Sequence, residues 1–301
     1  MPNSPIDLSL CIVTYKAKNV LDECLESIYN QHHSVSFETI LVDNDSDDGT
    51  AELVREKYPL VTYIQNDNNV GFQKATNRAL RAASGRYLMW LNNDTVVKAG
   101  AFEALLMFGE AHPEAGVFGP KVLNRDGTLQ KQCRRGDPTP WSVLMYFSGL
   151  WKLFPKNRFF SGYLLSYRDE DETMEVDACS GAAMVLRREA MDQVGAIDES
   201  FLYGGEDLDY CYQVRQKGWT NYYYPGAQIM HYGGQGGSRN KPYRLTYEFH
   251  RSMVLYFRKN LGGRYPFFLV WLIYAGIWSH FAMAMVRNLI RNDKVPGSKK
   301  P

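Results

Sequence analysis

The chain has 301 residues, 45% hydrophobic and 22% charged, enough for one large or two small domains with a real core. A net charge of +1 gives no ground for a nucleic-acid partner. Five scattered cysteines without a Cys-x-x-Cys pair argue against a disulfide framework and for reduced thiols used as small hydrophobes. The opening segment MPNSPIDLS lacks the basic and apolar regions of a signal peptide, so none is expected.

LSLCIVTY (8–15) is a short β-branched apolar run and reads as a buried strand. A helix over 19–31 follows, with Val20, Leu21, Cys24, Leu25 and Ile28 at helical spacing. FETILVDN (37–44) is the second strand, and the chain turns through Gly49 into a helix, with Asp47, Asp48 and Thr50 as candidate caps. VTYIQN (61–66) is a third strand, 71–84 a helix ending near Gly85, RYLMWL (86–91) a fourth strand, and 99–112 a helix stopped by Pro113. Strands alternating with helices of this length predict βαβ units and a largely parallel sheet, an α/β architecture.

Residues 121–175 are less regular and hold basic residues (Lys121, Arg125, Lys131, Arg134, Arg135) and the aromatic stretch PWSVLMYFSGLWKLFP. Beyond them come a strand and helix over 176–195, a glycine pair and helix within 201–219, and an amphipathic helix over 242–261. The 21 residues PFFLVWLIYAGIWSHFAMAMV (266–286) carry no formal charge, with Arg264 before them and Arg287, Arg291, Lys294, Lys299 and Lys300 after. That length can just span a bilayer. Its Trp and Tyr residues and basic flanks equally suit a helix lying in the interface, and a helix buried between subunits is the third reading.

In parallel α/β sheets ligands bind beyond the C-terminal strand ends. Here those ends carry Thr14-Tyr15, Asp43-Asn44-Asp45, Asn66-Asp67-Asn68-Asn69 and Asn92-Asn93-Asp94. A turn explains each cluster alone; a shared polar site explains four together. One carboxylate such as Asp94 on a rigid strand end can hold a hard cation whose other ligands are phosphate oxygens. Asp43 could accept from a ribose or base, or simply close an Asx-turn. Glu206 and Asp207 fall in a first helical turn, where acids favour the helix dipole by about 0.3–1 kcal/mol each and where a general base could equally stand. His231 alone is more simply structural; the glycine-rich run after it, Gly233 to Gly237, could close over a phosphate.

The ordered set IVTYKAKNVLDECLESI, ILVDNDSDDGT, NDNNVGFQKATNRAL, GRYLMWLNNDT, CSGAAMVLRREAMDQVGAIDESFLYGGEDLDYCYQVRQKGW and the His231 segment resembles the inverting family 2 glycosyltransferases, in particular a bacterial rhamnosyltransferase-like branch that builds cell-surface polysaccharides. The resemblance covers most of residues 8–235 and implies a GT-A fold. It implies that Thr14, Tyr15 and Asp43 contact the nucleotide, with Asn69, Gly71, Phe72 and Asn77 beside it. It also implies that Asn92-Asn93-Asp94 takes the place of the metal motif. Asp94 is then the ligand of a divalent cation, Mg²⁺ or Mn²⁺, His231 a further ligand and Asp207 the catalytic base, with Asn92, Asn93 and Glu206 at the nucleotide sugar. Asn92 departs from the family's acid, which predicts weaker metal binding without nucleotide.

The same resemblance implies a pyrimidine nucleotide-diphosphate sugar as donor, with dTDP-L-rhamnose ahead of UDP-hexoses, and a polyprenyl-diphosphate-linked glycan as acceptor. It places a catalytic domain over 1–240, with 121–175 on the acceptor side, and a membrane-associating region over 241–301. The enzyme would then be cytoplasmic, held at the inner face of the membrane by an interfacial or re-entrant helix. The competing reading is a non-catalytic nucleotide-sugar-binding subunit with a decayed site. A nucleotidyltransferase would carry a glycine-rich phosphate loop where TYKAKN stands, and a processive synthase several membrane segments.

Overall fold

The computed structural model describes residues 6–233 and 242–291; the glycine-rich run beyond Gly233 and the basic tail beyond Arg291 lie outside them. The first half follows the alternation of the sequence: β1 (Leu8–Thr14), α1 (Lys18–Tyr29), β2 (Phe37–Asp43), α2 (Thr50–Lys57), β3 (Val61–Gln65), α3 (Phe72–Ala82), β4 (Tyr87–Asn92), β5 (Thr95–Val97), α4 (Ala101–Ala111) and β6 (Ala115–Leu123). The 121–175 segment contributes β7 (Arg134–Arg135), α5 (Pro140–Ser148), α6 (Leu150–Leu153), α7 (Arg158–Ser161) and β8 (Met174–Glu175). The remainder is β9 (Ala178–Cys179), β10 (Ala183–Arg187), α8 (Arg188–Val194), α9 (Glu206–Gln216), β11 (Thr220–His231), α10 (Pro242–Tyr256) and α11 (Phe267–Arg291).

One sheet of order β3-β2-β1-β4-β10-β6-β11-β5 forms the centre, with β8 beside β11. The β3-β2-β1-β4 half is parallel. The other half is mixed: β10 runs antiparallel to β4 and β6, and β11 parallel to β6. Leu88, Met89, Trp90 and Leu91 in β4 are almost wholly buried, because helices cover both faces of a parallel sheet. Each such side chain contributes about 1.5–3 kcal/mol on burial. The five cysteines are buried and unpaired.

The register fixes the functional edge. Thr14 lies opposite Asp43, Val13 opposite Asn92, and Asp43 opposite Gln65. The polar clusters after β1, β2, β3 and β4 therefore share one side of the sheet. The short β5 pairs antiparallel with the end of β11, setting Thr95 opposite His231.

The basic residues of 121–175 do not form one surface. Lys121 is buried against Glu170 and Asp171, Arg134 donates to the carbonyls of Arg168 and Asp169, and Arg135 is buried under α9. At the C-terminus, α10 and α11 form a hairpin joined by His250–His280 (2.8 Å) and Asn288–Thr246 (3.1 Å). Most of α11 is left exposed, with Phe267 78%, Trp271 71% and Ile290 78% accessible. By length and composition Phe267–Ile290 could cross a membrane.

Candidate functional site

Trp90 and Asn92 point to the same face of β4, two residues apart. Past Asn92 the chain turns into β5, and the β5–β11 pairing closes 137 residues of sequence to set His231 beside the turn. His231 Nε2 lies 3.1 Å from Asp94 Oδ1 and 3.3 Å from Asn92 Nδ2. Asn93 Nδ2 donates to Thr14 Oγ1 at 3.0 Å, tying the end of β4 to the end of β1. Asp94 is buried, and its backbone carbonyl accepts from Tyr232 N at 2.9 Å.

Asp207 is joined to this corner by the tripeptide Ser180-Gly181-Ala182. Asn92 N donates to Ala182 O at 2.9 Å, and Gly181 N donates to Asp207 Oδ2 at 3.0 Å. A Cβ on Gly181 would meet Trp90 at 3.2 Å and Asp207 at 3.3 Å, so a side chain there would push the two elements apart by a few tenths of an ångström. Gly204 and Gly205 take left-handed conformations (φ +74° and +91°) to launch α9, which a side chain would resist. Asp207 then sits in the first turn of that helix, where Leu208 N donates to its Oδ1 at 2.8 Å. Arg135 completes the arrangement: its Nη2 donates to Asp207 Oδ2 at 2.6 Å and to Cys179 O at 2.6 Å.

Three buried polar atoms lack partners among the described residues around this corner: Trp90 Nε1, Asn92 Oδ1 and Glu206 Oε2. Others lie elsewhere in the molecule, but these three face one corner and are able to receive a polar ligand. That pattern fits a cation and a polar substrate. Asp94 Oδ1, His231 Nε2 and, after an amide turn, Asn92 Oδ1 are the donors able to hold a divalent ion. Among the described residues no third His, Cys, Asp or Glu joins them. A nucleotide diphosphate would have to supply the remaining oxygens, as hard cations commonly require.

Glu206 lies beside Asp207. Burial first, and the neighbouring Asp207 charge second, push its carboxyl up to about 7. A carboxyl raised in the folded state stabilises the fold fully below its unfolded value near 4.5 and loses that contribution as pH rises through about 7. Glu206→Gln is therefore expected to flatten the decline of the unfolding midpoint between about pH 5 and 8. A wild-type midpoint as flat as the variant's over that range would contradict the assignment.

Two residues expected at the nucleotide have other employment. Asp43 is fully buried; Oδ1 accepts from Ser46 N at 2.9 Å and Oδ2 from Tyr63 OH at 2.6 Å, so it braces the turn that follows β2. Asn77 is buried in α3, and its amide clamps the loop after α8: Nδ2 donates to Ile197 O and Glu199 Oε1, and Oδ1 accepts from Ile197 N. Its amide is spent on loop packing. Of the others, Tyr15 stays half-exposed beyond β1. Asn69 Oδ1 accepts from Gly71 N at 3.0 Å, Gly71 adopts φ +92° with open space around it, and Phe72 packs on Trp90 at 5.9 Å. Sequence reasoning missed Arg135 and Gln130, whose Oε1 lies 2.8 Å from His231 Nδ1; neither belongs to a recognisable local pattern.

Comparison with known proteins shows the family and the fold. The pattern of Glycosyl transferase family 2 matches residues 9–195. The N-acetylglucosaminyl-diphospho-decaprenol L-rhamnosyltransferase of Mycobacterium tuberculosis is 27% identical over 299 residues, 95% of each chain. The low-salt glycan biosynthesis hexosyltransferase Agl10 of Haloferax volcanii is 24% identical over 70% of this chain and 62% of its own. Among solved structures, S. aureus TarS 1–349 superposes with TM-score 0.56 at 16% identity, covering 94% of this chain and 74% of that one. GalNAc-T7 with UDP, GalNAc and Mn²⁺ gives 0.55 at 17%, covering 75% and 43%. A second S. aureus TarS structure is matched over 39% of its chain, so the structural likeness concerns the shared α/β fold. With the matched family pattern spanning most of the chain, the protein belongs to glycosyl transferase family 2.

Proposed function

We propose that the protein is a metal-dependent, inverting glycosyltransferase of cell-surface polysaccharide synthesis. It moves a sugar from a pyrimidine nucleotide-diphosphate donor, dTDP-L-rhamnose before UDP-hexoses, to a hydroxyl of a polyprenyl-diphosphate-linked glycan. The observation that carries this reading is the meeting of Asn92, Asp94 and His231 at the strand edge, one tripeptide from Asp207. The likeness to a rhamnosyltransferase over 95% of both chains supports the donor and the acceptor.

Asp94 and His231 would hold the divalent cation, which when bound offsets the negative charge left on the departing diphosphate. Thr14, Tyr15 and Asn93 line the nucleotide end, with Asn69, Gly71 and Phe72 beside it. Asp207 takes the proton of the attacking hydroxyl at Oδ1, the oxygen that Arg135 leaves more open: Nη1 is 3.5 Å away, against 2.6 Å from Nη2 to Oδ2. A single displacement with a base and no covalent nucleophile inverts the anomeric centre.

The acceptor side is assigned to 121–175. A cleft of about 720 Å³ begins one residue past Arg135 and is lined by Asp137, Trp141, Asn157, Phe159 and Asp177, a mixture of aromatic faces and polar groups suited to a sugar. Residues 1–240 form the catalytic domain. Residues 241–301 hold it on the inner face of the membrane through the exposed apolar side of α11. Leu272→Asp, at a position 65% exposed, should weaken binding of the full chain to anionic vesicles by about tenfold or more; unchanged sedimentation with vesicles would refute the membrane role.

The direct test of the activity supplies a panel of nucleotide sugars with a polyprenyl-diphosphate-linked acceptor and follows product configuration by NMR. One pyrimidine donor giving a product of inverted anomeric configuration is expected. Retention, or no transfer from any pyrimidine donor, would overturn the reading.

A further inference from the structure

His231 ends a chain of side-chain hydrogen bonds that begins in the 121–175 segment. Thr128 Oγ1 donates to Asp126 Oδ1 at 2.6 Å, so its oxygen is left to accept from Asn124 Nδ2 at 3.0 Å. Asn124 Nδ2 also faces the Leu129 carbonyl at 3.4 Å, which can only accept. The orientation of the Asn124 amide is therefore fixed, and its Oδ1 accepts from Gln130 Nε2 at 3.3 Å. Gln130 must then turn Oε1 toward His231 Nδ1, 2.8 Å away. An amide oxygen cannot donate, so Nδ1 carries the hydrogen.

In a neutral ring the lone pair then falls on Nε2. That atom lies 3.1 Å from Asp94 Oδ1, with Asn92 Nδ2 at 3.3 Å. Two acceptors 3.1 Å apart are close enough to share one cation. We propose that the Asn124–Gln130 relay locks His231 in the Nδ1–H tautomer, so that Nε2 and Asp94 Oδ1 converge on one divalent cation and favour manganese over magnesium. The preference follows from the ligands: an imidazole nitrogen suits later first-row metals, whereas magnesium demands oxygen. Gln130 acts here as a positioning residue, through His231. The inference rests on the metal reading of the site above.

The test measures Mn²⁺ and Mg²⁺ affinity of the full chain in the presence of dTDP and, separately, UDP, by electron paramagnetic resonance for Mn²⁺ and by competition for Mg²⁺. Gln130→Met keeps the volume and removes the acceptor. It is expected to weaken Mn²⁺ binding by about 10–100-fold, to narrow the preference over Mg²⁺, and to leave metal-free binding of the same nucleotide unchanged. Gln130→Glu, whose carboxylate accepts from Nδ1 whichever way it turns, is expected to hold Mn²⁺ at least as tightly as the native chain. If Gln130→Met fails to fold, the Glu variant decides: native Mn²⁺ affinity supports an acceptor at Gln130 holding the Nδ1–H tautomer and a tenfold loss overturns it. Gln130→Met binding Mn²⁺ within twofold of native, while Asp94→Ala loses it, overturns the relay and leaves the metal reading standing. Unchanged Mn²⁺ affinity in Asp94→Ala overturns both.

Discussion

Asp207→Asn is expected to lower sugar transfer by about 10²–10⁴-fold while nucleotide-diphosphate binding stays within a few-fold of native. The substitution is isosteric. An amide oxygen can still accept from Gly181 N or Leu208 N, so the turn that bridges α9 to Asn92 keeps its shape. What it cannot do is take a proton. A second effect follows from Arg135, whose guanidinium is buried and pairs with Asp207 at 2.6 Å. Removing one partner of a buried pair commonly costs about 3–5 kcal/mol, so the unfolding midpoint should fall as well. The two effects separate by experiment: at a temperature where the variant is fully folded, donor affinity should be native and turnover lost. Loss of donor binding in step with turnover would make Asp207 a binding residue.

Asp94→Ala should reduce transfer by about 10³-fold or more, because a cation at a developing diphosphate charge is worth several kcal/mol. The variant differs from Asp207→Asn in what else it loses. Metal-dependent nucleotide binding should disappear along with turnover, and raised Mn²⁺ should not restore it. Two protein ligands cannot hold the ion once the only charged one is gone. Turnover retained within tenfold would return Asn92-Asn93-Asp94 to the status of a turn.

The parallel half of the sheet was legible because each strand is a short apolar run and each helix has a clear apolar stripe, as in Leu21, Cys24, Leu25 and Ile28 of α1. Strand β6 was not legible. AGVFGPKVL contains two glycines and a proline, which normally argue against a strand. Here Gly116 is needed because a Cβ would strike Trp219 at 2.6 Å, and Gly119 lies against Cys179 at 3.0 Å. The three-residue β5 was equally hidden, and with it the register that sets Thr95 opposite His231. For the site, the shared strand edge could be read, since four polar clusters follow four apolar runs. The turn role of Asp43 could be read as an alternative, but its bond to Tyr63 and the clamp of Asn77 on Ile197 could not, because those partners are set by tertiary packing. Arg135 and Gln130 were missed for the same reason: neither carries a local signal, and each acts through a residue far away in sequence.

The most direct measurement of the central claim is calorimetric titration of the purified chain with UDP and dTDP, with and without Mn²⁺, repeated for Asp94→Ala. The account predicts that one pyrimidine diphosphate binds in a Mn²⁺-dependent manner and that the dependence vanishes in the variant. Tight binding indifferent to both Mn²⁺ and Asp94 would contradict it.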